Sequence, residues 1–439
     1  MSELKRWTGR LMNRARDRGA LGIEILLSTQ STLALSSHNL YVPPPPAPLR
    51  SAQIRVYQAK GKLGVSHGRF DSEPDLEALL ATALARAETA PADELEAPPD
   101  RMDISERGLG MNDPRQATLE HAWREEVLTS NETACRGMGA SLVPGEFSYA
   151  EMQEERSFMS SRGVEAIETS TLYRLKGSVQ LVDRPDVEIS GEVISRHFAD
   201  VASVPLGADL AKRALALERT AKLPERKLPI IFEPRTVAKL MPRIALAFDH
   251  TSVVSKKSFL HGRMGAQIAS DKLHIIDDAT MPGALATRAF DDRGVSPMVL
   301  PLIREGHAAT EYLSPYDARQ LNTRPTGHTR SDGTAWPGNL VIRAGARSRN
   351  MIHADLGPYV IVEDILNTAG IDPKSGRIDV PVRLALGEGG KVLGFVGVRR
   401  INQPCEDVFK KIVEMGSDQE RYGTVDACSW VLEGLTFDE

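Results

Sequence analysis

The chain has 439 residues, with 54 lysines and arginines against 59 aspartates and glutamates, which gives a formal net charge of −5 at pH 7. Hydrophobic residues make up 41% and charged residues 26% of the chain, which is typical of a globular protein and excludes a disordered one. Nucleic-acid binding depends on a basic surface field, and this charge balance provides none across the chain. We therefore expect no nucleic-acid partner.

The cysteines and the first apolar run indicate the compartment. Cys135, Cys405 and Cys428 are odd in number and far apart, unlike a secreted disulfide framework or a four-cysteine zinc site. The first apolar run, over residues 21–27, is interrupted by Glu24 and is shorter than the roughly 20 apolar residues that span a membrane. We expect a cytoplasmic protein with no membrane partner.

Residues 1–222 alternate between helical and strand patterns, which predicts a first domain. Helices are predicted over 4–15, 76–87, about 114–128 and 208–217. A strand is predicted over 23–27 with a hairpin partner over 32–35, and a second hairpin over 54–56 and 62–65. A proline spacer over 43–46 and an acidic loop over 88–100 separate these elements. Ser72 or Asp71 can cap the helix over 76–87, with Pro74 in its first turn. β-prone residues over 140–182 predict three or four long antiparallel strands with one face in water.

Residues 223–227, Leu-Pro-Glu-Arg-Lys, predict a boundary, after which residues 228–439 form a second domain. It begins with a buried strand over 228–232 and a helix from 234 to about 248. Short β runs follow, over 273–276, 299–303, 340–342, 359–362, 380–385, 392–398 and 429–432. The prediction is an α+β fold, with an N-terminal mixed α/β domain whose antiparallel sheet has flanking helices and a C-terminal domain of mostly antiparallel β structure.

The side chains that could carry chemistry are isolated in the sequence. Residues 387–391, Gly-Glu-Gly-Gly-Lys, lack the spacing of a phosphate-binding Walker loop and predict a hairpin turn. His250 and His261 are separated by a distance that matches no known metal-ligand spacing. Cys428 has no ligand-type neighbours in sequence, which favours a half-buried strand thiol over a zinc ligand.

Two pairs of adjacent acids allow two interpretations. Asp277 with Asp278, and Asp291 with Asp292, could hold a divalent cation through their carboxylates. The same residues could instead cap turns by accepting backbone N–H bonds. We favour the second interpretation, because adjacent acids have this role more often.

The second half also contains a series of short blocks in a fixed order. They lie over residues 258–260, 265–270, 275–278, 282–295, 302–306, 312–313, 316–319, 325–328, 339–342 and 432–437. Over about residues 228–437, the order and gaps of these blocks resemble the C-terminal domain of the TldD/PmbA family. The helix–strand order of residues 1–220 resembles the N-terminal domain of the same family.

The resemblance extends to the segment that carries the family's zinc motif. In the TldD kind of subunit, the helix after the first strand of the second domain carries His-Glu-x-x-x-His, and a later cysteine completes the zinc site. Alignment of this strand and helix places Pro242 and Ala247 at the two histidine positions and Arg243 at the glutamate position. None of these side chains can bind zinc or act as a base. The chain therefore resembles the TldE (PmbA) kind, and Cys428 lies too close to the closing block for the ligand role.

This resemblance implies a partner and a substrate. It implies a chain without metal or catalytic residues of its own, paired as a heterodimer with a zinc-bearing TldD-like subunit. The pair would hold an unfolded peptide by strand addition and cleave it with little side-chain selectivity. Precursors of peptide or amide-containing antibiotics are a second substrate class that the family implies.

Two other hypotheses remain open from the sequence. One is a homodimeric peptide-binding protein of the same fold with no hydrolytic partner. The other is an amide hydrolase with a displaced metal site built from His250, His261 or Cys428.

The loop over residues 328–338 is shorter than the Gly- and Ser-rich loop usual in TldE. We expect it near the cavity or the partner, where the shorter loop would shift the substrate range.

Overall fold

The computed structural model describes residues 3–38, 47–102, 104, 108–224 and 227–438. The proline spacer predicted over 43–46, and residues 225 and 226 of the predicted boundary, lie outside these residues. We call residues up to 224 the N-terminal region and residues from 227 the C-terminal region; the predicted domain limits, 1–222 and 228–439, stay predictions.

Helices in both regions are short to medium in length. In chain order they are α1 Glu3–Asp17, α2 Glu73–Thr89, α3 His121–Gly137, α4 Phe198–Ser203, α5 Leu206–Ala216, α6 Pro234–Ala245, α7 His250–Val254, α8 Pro315–Gln320, α9 Arg349–Asp355 and α10 Cys405–Lys410, with 3₁₀ turns at Ala59–Gly61, Gln116–Thr118 and Leu246–Phe248. Among the described residues, none of these helices has the length and apolar character needed to cross a membrane.

The N-terminal region is built on one antiparallel sheet. Its strands are β1 Gly22–Ser36, β2 Leu49–Tyr57, β3 Leu63–Arg69, β4 Leu142–Pro144, β5 Ser148–Ser160, β6 Glu165–Leu181 and β7 Arg184–Ser195. The order is β3-β2-β1-β5-β6, with β4 and β7 both paired to β6. One face of the sheet packs against α1 and α2 near β1 to β3, and against α3 and α5 near β6 and β7.

Two sequence predictions for this region are wrong in detail. The hairpin predicted over 23–27 and 32–35 is instead the single strand β1, whose residues 24–36 all pair with β5. The intervening residues, Ser-Thr-Gln-Ser, contain no Gly, Pro, Asn or Asp, and each of them pairs with β5, so the strand continues along its partner. The helix predicted over 114–128 begins only at His121, because the Asp113 carboxylate accepts the Arg115 and Phe198 N–H groups and fixes a separate turn.

The helix predicted over 76–87 is confirmed as α2, and its start shows why. Ser72 and Asp75 form a reciprocal capping box, in which each side chain accepts a hydrogen bond from the other's backbone N–H. Pro74 lies in the first turn, where its missing N–H has no helical acceptor. The local sequence was therefore sufficient to place this helix.

The C-terminal region contains two further sheets. Its strands are β8 Ile230–Phe232, β9 Ile275–Asp278, β10 Val299–Arg304, β11 His307–Ala308, β12 Leu340–Ile342, β13 Pro358–Ile365, β14 Ile371–Asp372, β15 Arg377–Glu388, β16 Lys391–Pro404, β17 Ile412–Met415, β18 Glu420–Tyr422, β19 Val425–Ala427 and β20 Trp430–Leu432. The sheets have the orders β14-β15-β13-β8-β20-β17, with β16 on β15, and β11-β10-β9-β12-β19-β18. The pairs β8–β13 and β12–β19 are parallel and the others antiparallel, which confirms the α+β prediction.

Helix α6 lies in the main hydrophobic core of the C-terminal region. Its residues Val237, Leu240, Met241 and Ile244 are each at most 2% exposed and belong to one core cluster with strands of both sheets. The predicted turn at 387–391 is confirmed, since Glu388 pairs with Lys391 where β15 turns into β16. The fold thus places the segment aligned with the zinc motif at the end of a buried helix.

Candidate functional site

The segment aligned with the zinc motif ends α6 and continues into the following 3₁₀ turn. Pro242 and Arg243 lie in the last turn of α6, and the Arg243 Nε donates to the Ile371 carbonyl at 3.0 Å. Ala247 lies in the 3₁₀ turn, is 1% exposed and belongs to the apolar core. Its carbonyl accepts the Ser258 hydroxyl at 2.6 Å. These side chains offer no imidazole, thiolate or carboxylate, so they do not fit a zinc ion.

The residues of the displaced-site hypothesis are not brought together. His250 Nδ1 lies 2.7 Å from Glu311 Oε2, and His261 Nδ1 lies 2.8 Å from the Val253 carbonyl. Cys428 is fully buried, and this burial raises the pKa of its thiol to about 12, far from the thiolate that metals bind. Within the described ranges, no group of three His, Cys, Asp or Glu side chains could hold a metal ion.

The acid pairs act as backbone acceptors, as the favoured interpretation predicted. Asp291 is fully buried and accepts the N–H groups of Arg293, Val295 and Thr329 at 2.9–3.0 Å. Burial raises the pKa of Asp291. Asp278 accepts the backbone N–H and hydroxyl of Thr280. These bonds fix the turns that follow β9 and precede β10.

Asp277 has a different role inside the C-terminal region. It is fully buried and accepts hydrogen bonds from the Tyr312 hydroxyl at 2.5 Å and the Gly338 N–H at 2.8 Å. The His328 Nε2 lies 3.3 Å from the same carboxylate, and the imidazole packs beside the Tyr312 ring, 5.1 Å between centroids. Asp277 therefore holds both ends of the loop over residues 328–338.

That loop contacts the polar face of the N-terminal sheet. The Ser331 carbonyl accepts N–H bonds from Gln53 at 2.7 Å and from Arg55 at 2.9 Å, both on β2. The guanidinium of Arg288 lies 4.4 Å from the centre of the Trp336 ring, with the guanidinium of Arg156 on the same ring at 5.2 Å. The expectation that the loop lines a cavity or a partner remains untested, but the structure places it between the two regions.

Buried charges connect the two regions beside this loop. Arg156 on β5 pairs with Glu168 on β6 at 2.6 Å and with Asp292 of the C-terminal region. All but Asp292 are less than 9% exposed. We call these three residues, together with Arg293, Glu24 and Tyr57, the interregion interface.

The second group of this interface centres on Arg293. Its Nε donates to Glu24 Oε2 at 2.9 Å, and its Nη2 donates to the Tyr57 hydroxyl at 3.1 Å. The Tyr57 hydroxyl donates to Glu24 Oε1 at 2.5 Å, and burial together with the Glu24 charge raises the pKa of Tyr57. Sequence reasoning treated Glu24 only as an interruption of an apolar run. The predicted strand alternates, which puts Glu24 on the face opposite Ile23 and Ile25, so the sequence pattern carried no signal that Glu24 is buried with a charged partner.

A third charged cluster crosses between the regions around Glu363 on β13. Its carboxylate pairs with Arg213 of α5 at 2.7 Å, Arg235 of α6 at 3.2 Å and Arg383 of β15 at 3.1 Å. Burial alone would raise the pKa of Glu363, but attraction to the three guanidinium groups lowers it to about 2. No spacing or periodicity in the sequence indicates that these four residues meet.

A serine motif that sequence reasoning missed has no catalytic geometry. Residues 64–68 read Gly-Val-Ser-His-Gly, the spacing of a serine nucleophile elbow, but they lie inside the extended strand β3. Ser66 is 1% exposed, and its hydroxyl donates to the Leu79 carbonyl at 2.8 Å. A nucleophile elbow needs a tight turn between a strand and a helix, which β3 does not provide.

Comparisons with known proteins agree with this fold. Residues 225–439 match the family described as the PmbA/TldA metallopeptidase C-terminal domain. The chain is 26% identical to the metalloprotease PmbA of Escherichia coli O157:H7 over 63% of this chain and 60% of that relative. It is 23% identical to a metalloprotease PmbA homologue of Haemophilus influenzae over 87% of this chain and 84% of that relative.

A solved structure extends the likeness to both regions. The crystal structure of TldE from Thermococcus kodakarensis superposes with a TM-score of 0.85 and covers 99% of this chain and 100% of that one. Sequence identity in this comparison is 18%, so the likeness concerns the fold.

Proposed function

We propose that the chain is a TldE-like subunit, without catalytic residues of its own, of a heterodimeric zinc metallopeptidase of the TldD/PmbA family, because residues 225–439 match that family's C-terminal domain and PmbA metalloproteases are among its relatives. The zinc belongs to a TldD-like partner subunit in this proposal. The substrates are unfolded peptides or amide-containing precursors of natural products such as antibiotics. Extended peptides suit such an enzyme, because main-chain hydrogen bonds bind them with little dependence on side chains.

One observation carries the proposal: none of the three side chains aligned with the zinc motif can bind zinc, and Ala247, at one of the histidine positions, belongs to the apolar core. Ala247 is 1% exposed, and Arg243 is held by the Ile371 carbonyl. A zinc-bound water needs ligands and an open coordination position, and neither is available here. The nearby His250 is already engaged with Glu311. In this proposal a second chain supplies the metal and the base for hydrolysis.

The test combines metal analysis with reconstitution. The chain purified alone should hold no stoichiometric zinc after dialysis and should not cleave an unstructured fluorogenic peptide. Cleavage should appear when a TldD-like chain with an intact His-Glu-x-x-x-His motif is added, and should saturate near equal amounts. A TldD-like chain with its motif histidines replaced by alanine is the matched control.

Two results would contradict this function. One is chelator-sensitive cleavage by this chain alone, with one tightly bound zinc lost on substitution of His250, His261 or Cys428. The other is a stable homodimer in light scattering that binds peptide but gains no activity from any TldD-like chain. The second result would favour the homodimeric peptide-binding alternative.

A further inference from the structure

A groove of about 500 Å³ lies between the two regions, on the side of residues 99–102. Its walls come from that N-terminal segment and from two C-terminal stretches, over residues 295–298 and 315–325, and the lining includes Arg101, Met102, Val295, Met298, Ala318 and Arg324. No residue of the zinc-motif segment or of the buried charged clusters lines it. The groove is therefore a feature separate from the site described above.

The groove has an apolar floor. Val295 and Ala318 are each 1% exposed, while Met298 is 45% exposed and open to a ligand. The Ser296 N–H donates to the Met102 sulfur at 3.2 Å, which joins the two walls. Methionine side chains adapt their shape to different apolar groups. The floor can therefore accept an aliphatic or aromatic side chain without a fixed shape.

The rim of the groove is cationic. Arg101 on one wall and Arg324 on the other are exposed, and neither makes a hydrogen bond or an ion pair with any described residue. Asp100 is the one acid among the described lining residues, and it pairs with Arg162 outside the groove. Two guanidinium groups without an ion-pair partner among the described residues thus line a groove with an apolar floor, in a chain whose net charge is −5.

The walls of the groove are held in place by a third arginine. Arg319 of α8 donates to the Leu95 carbonyl at 2.9 Å and to the Pro98 carbonyl at 2.7 Å. The Tyr316 hydroxyl on the same helix donates to Asp93 at 2.9 Å. These bonds join α8 to the N-terminal segment that leads into the groove. A preformed groove binds more tightly, because less ordering is required on binding.

We infer that this groove binds an extended acidic peptide segment, with an apolar side chain on the Met298 floor and carboxylates at Arg101 and Arg324. A volume of about 500 Å³ lies in the range of about 300–1,000 Å³ that is usual for small-ligand sites, which is room for one or two side chains of an extended segment. Guanidinium groups bind carboxylates through paired N–H donors, which favours acidic over neutral segments.

The inference goes beyond the proposed function and does not rest on it, because every residue involved belongs to this chain. The test therefore uses the full chain alone. The probe is a fluorescein-labelled eight-residue peptide in which aspartate and leucine alternate, followed by fluorescence anisotropy. Two comparison peptides replace either each aspartate by lysine or each leucine by serine.

The acidic peptide should bind saturably and lose affinity between about 0.05 M and about 0.5 M salt, because salt screens exposed charges. R101E/R324E should weaken binding about tenfold or more, since it replaces two attractions by two repulsions. M298S should weaken binding about fivefold through lost apolar contact. The control K257E/K391E makes the same change of net charge at exposed lysines elsewhere and should bind as the parent does.

Several outcomes would overturn the inference. They are the absence of saturable binding of the acidic peptide, equal binding of the lysine peptide, unchanged binding by R101E/R324E, or an equal loss in K257E/K391E. The substituted arginines are exposed, so circular dichroism should give the same fold for all variants. These outcomes leave the proposed function unaffected, because zinc binding and reconstituted peptidase activity are measured separately.

Discussion

The zinc-motif segment of α6 and the interregion interface differ in what they bury. The segment buries hydrocarbon: Ala247 and its neighbours Ile244 and Phe248 are each about 1% exposed or less and pack in one apolar core. The interface buries charge, with Glu24, Arg293 and Arg156 all below 9% exposure and each ion-paired. In this chain Ala247, which the alignment predicts to stand at a motif histidine position, has a packing role. The buried charges instead join the two regions.

The contrast matters for stability, because substitutions in an apolar core and at a buried ion pair lower the free energy of unfolding for different reasons. Apolar packing tolerates small changes of volume and loses free energy in proportion to what is removed or forced in. A buried charge that loses its partner remains in a low-dielectric site without compensation. Substitutions at the interface should therefore cost more than substitutions in the α6 segment.

The largest effect is expected at Arg293. The Glu24 carboxylate is 2% exposed, and Arg293→Ala removes its closest cation. Its remaining partners are then the Tyr57 hydroxyl and the Arg55 guanidinium, whose Nε lies 4.0 Å away. The free energy of unfolding should fall by about 4 kcal/mol, as is usual when one partner of a buried pair is removed. Urea unfolding measures this. Arg421→Ala, which breaks an exposed pair with Asp426, is the control and should cost less than about 1 kcal/mol. Equal losses would contradict the interpretation of the interface.

A pH-dependent effect of similar kind is expected at Glu363. Its pKa is about 2 in the folded chain, against 4.5 as its ordinary value, so the folded state holds the proton less tightly than the unfolded state. The contribution of Glu363 to the free energy of unfolding is therefore fully present above about pH 4.5 and is lost as the pH falls towards about 2. The free energy of unfolding should fall by about 3 kcal/mol over this range.

Unfolding measured across that pH range checks the prediction. Glu363→Gln should be less stable at neutral pH and should lose most of the acid dependence of the parent. Asp379→Asn, at an exposed pair with Arg400, should keep it. A Glu363→Gln variant with the same acid dependence as the parent would show that other carboxylates dominate.

The smallest of the three effects is expected in the α6 segment. Ala247→His forces an imidazole into a site that is 1% exposed, which should lower the free energy of unfolding by about 2–3 kcal/mol through overpacking and polar burial. Pro242→Ala in the same segment is the control and should be neutral or slightly stabilising, since it restores a helical N–H. Thermal unfolding compares the two.

Substitutions at these positions also test whether the chain can be given peptidase activity. The triple variant P242H/R243E/A247H should bind zinc weakly and hydrolyse no peptide, because the third ligand and the groups that orient the imidazoles are missing. Turnover by this variant at the rate of a TldD-like enzyme would mean that the chain has lost three side chains and not a whole site.

Local sequence was sufficient where a short stretch carries its own physical signal. The Ser72–Asp75 capping box, the turn at 387–391 and the buried helix α6 follow from neighbouring residues alone. The family resemblance also came from sequence, because ordered blocks with fixed gaps are preserved in one dimension. Pro242, Arg243 and Ala247 could be named for the same reason, although their alignment to the motif stays a prediction.

Only the tertiary structure decided which charges meet. Glu24 and Arg293 are 269 residues apart in sequence and Arg213 and Glu363 are 150 residues apart, and no periodicity or spacing connects such pairs. The length of β1 was decided in the same way, because its residues 28–31 are fixed by pairing with β5 and not by their own propensity. Sequence determines what each segment can form by itself. Contacts between distant segments depend on how three sheets pack, which sets the environment of every buried charge in this chain.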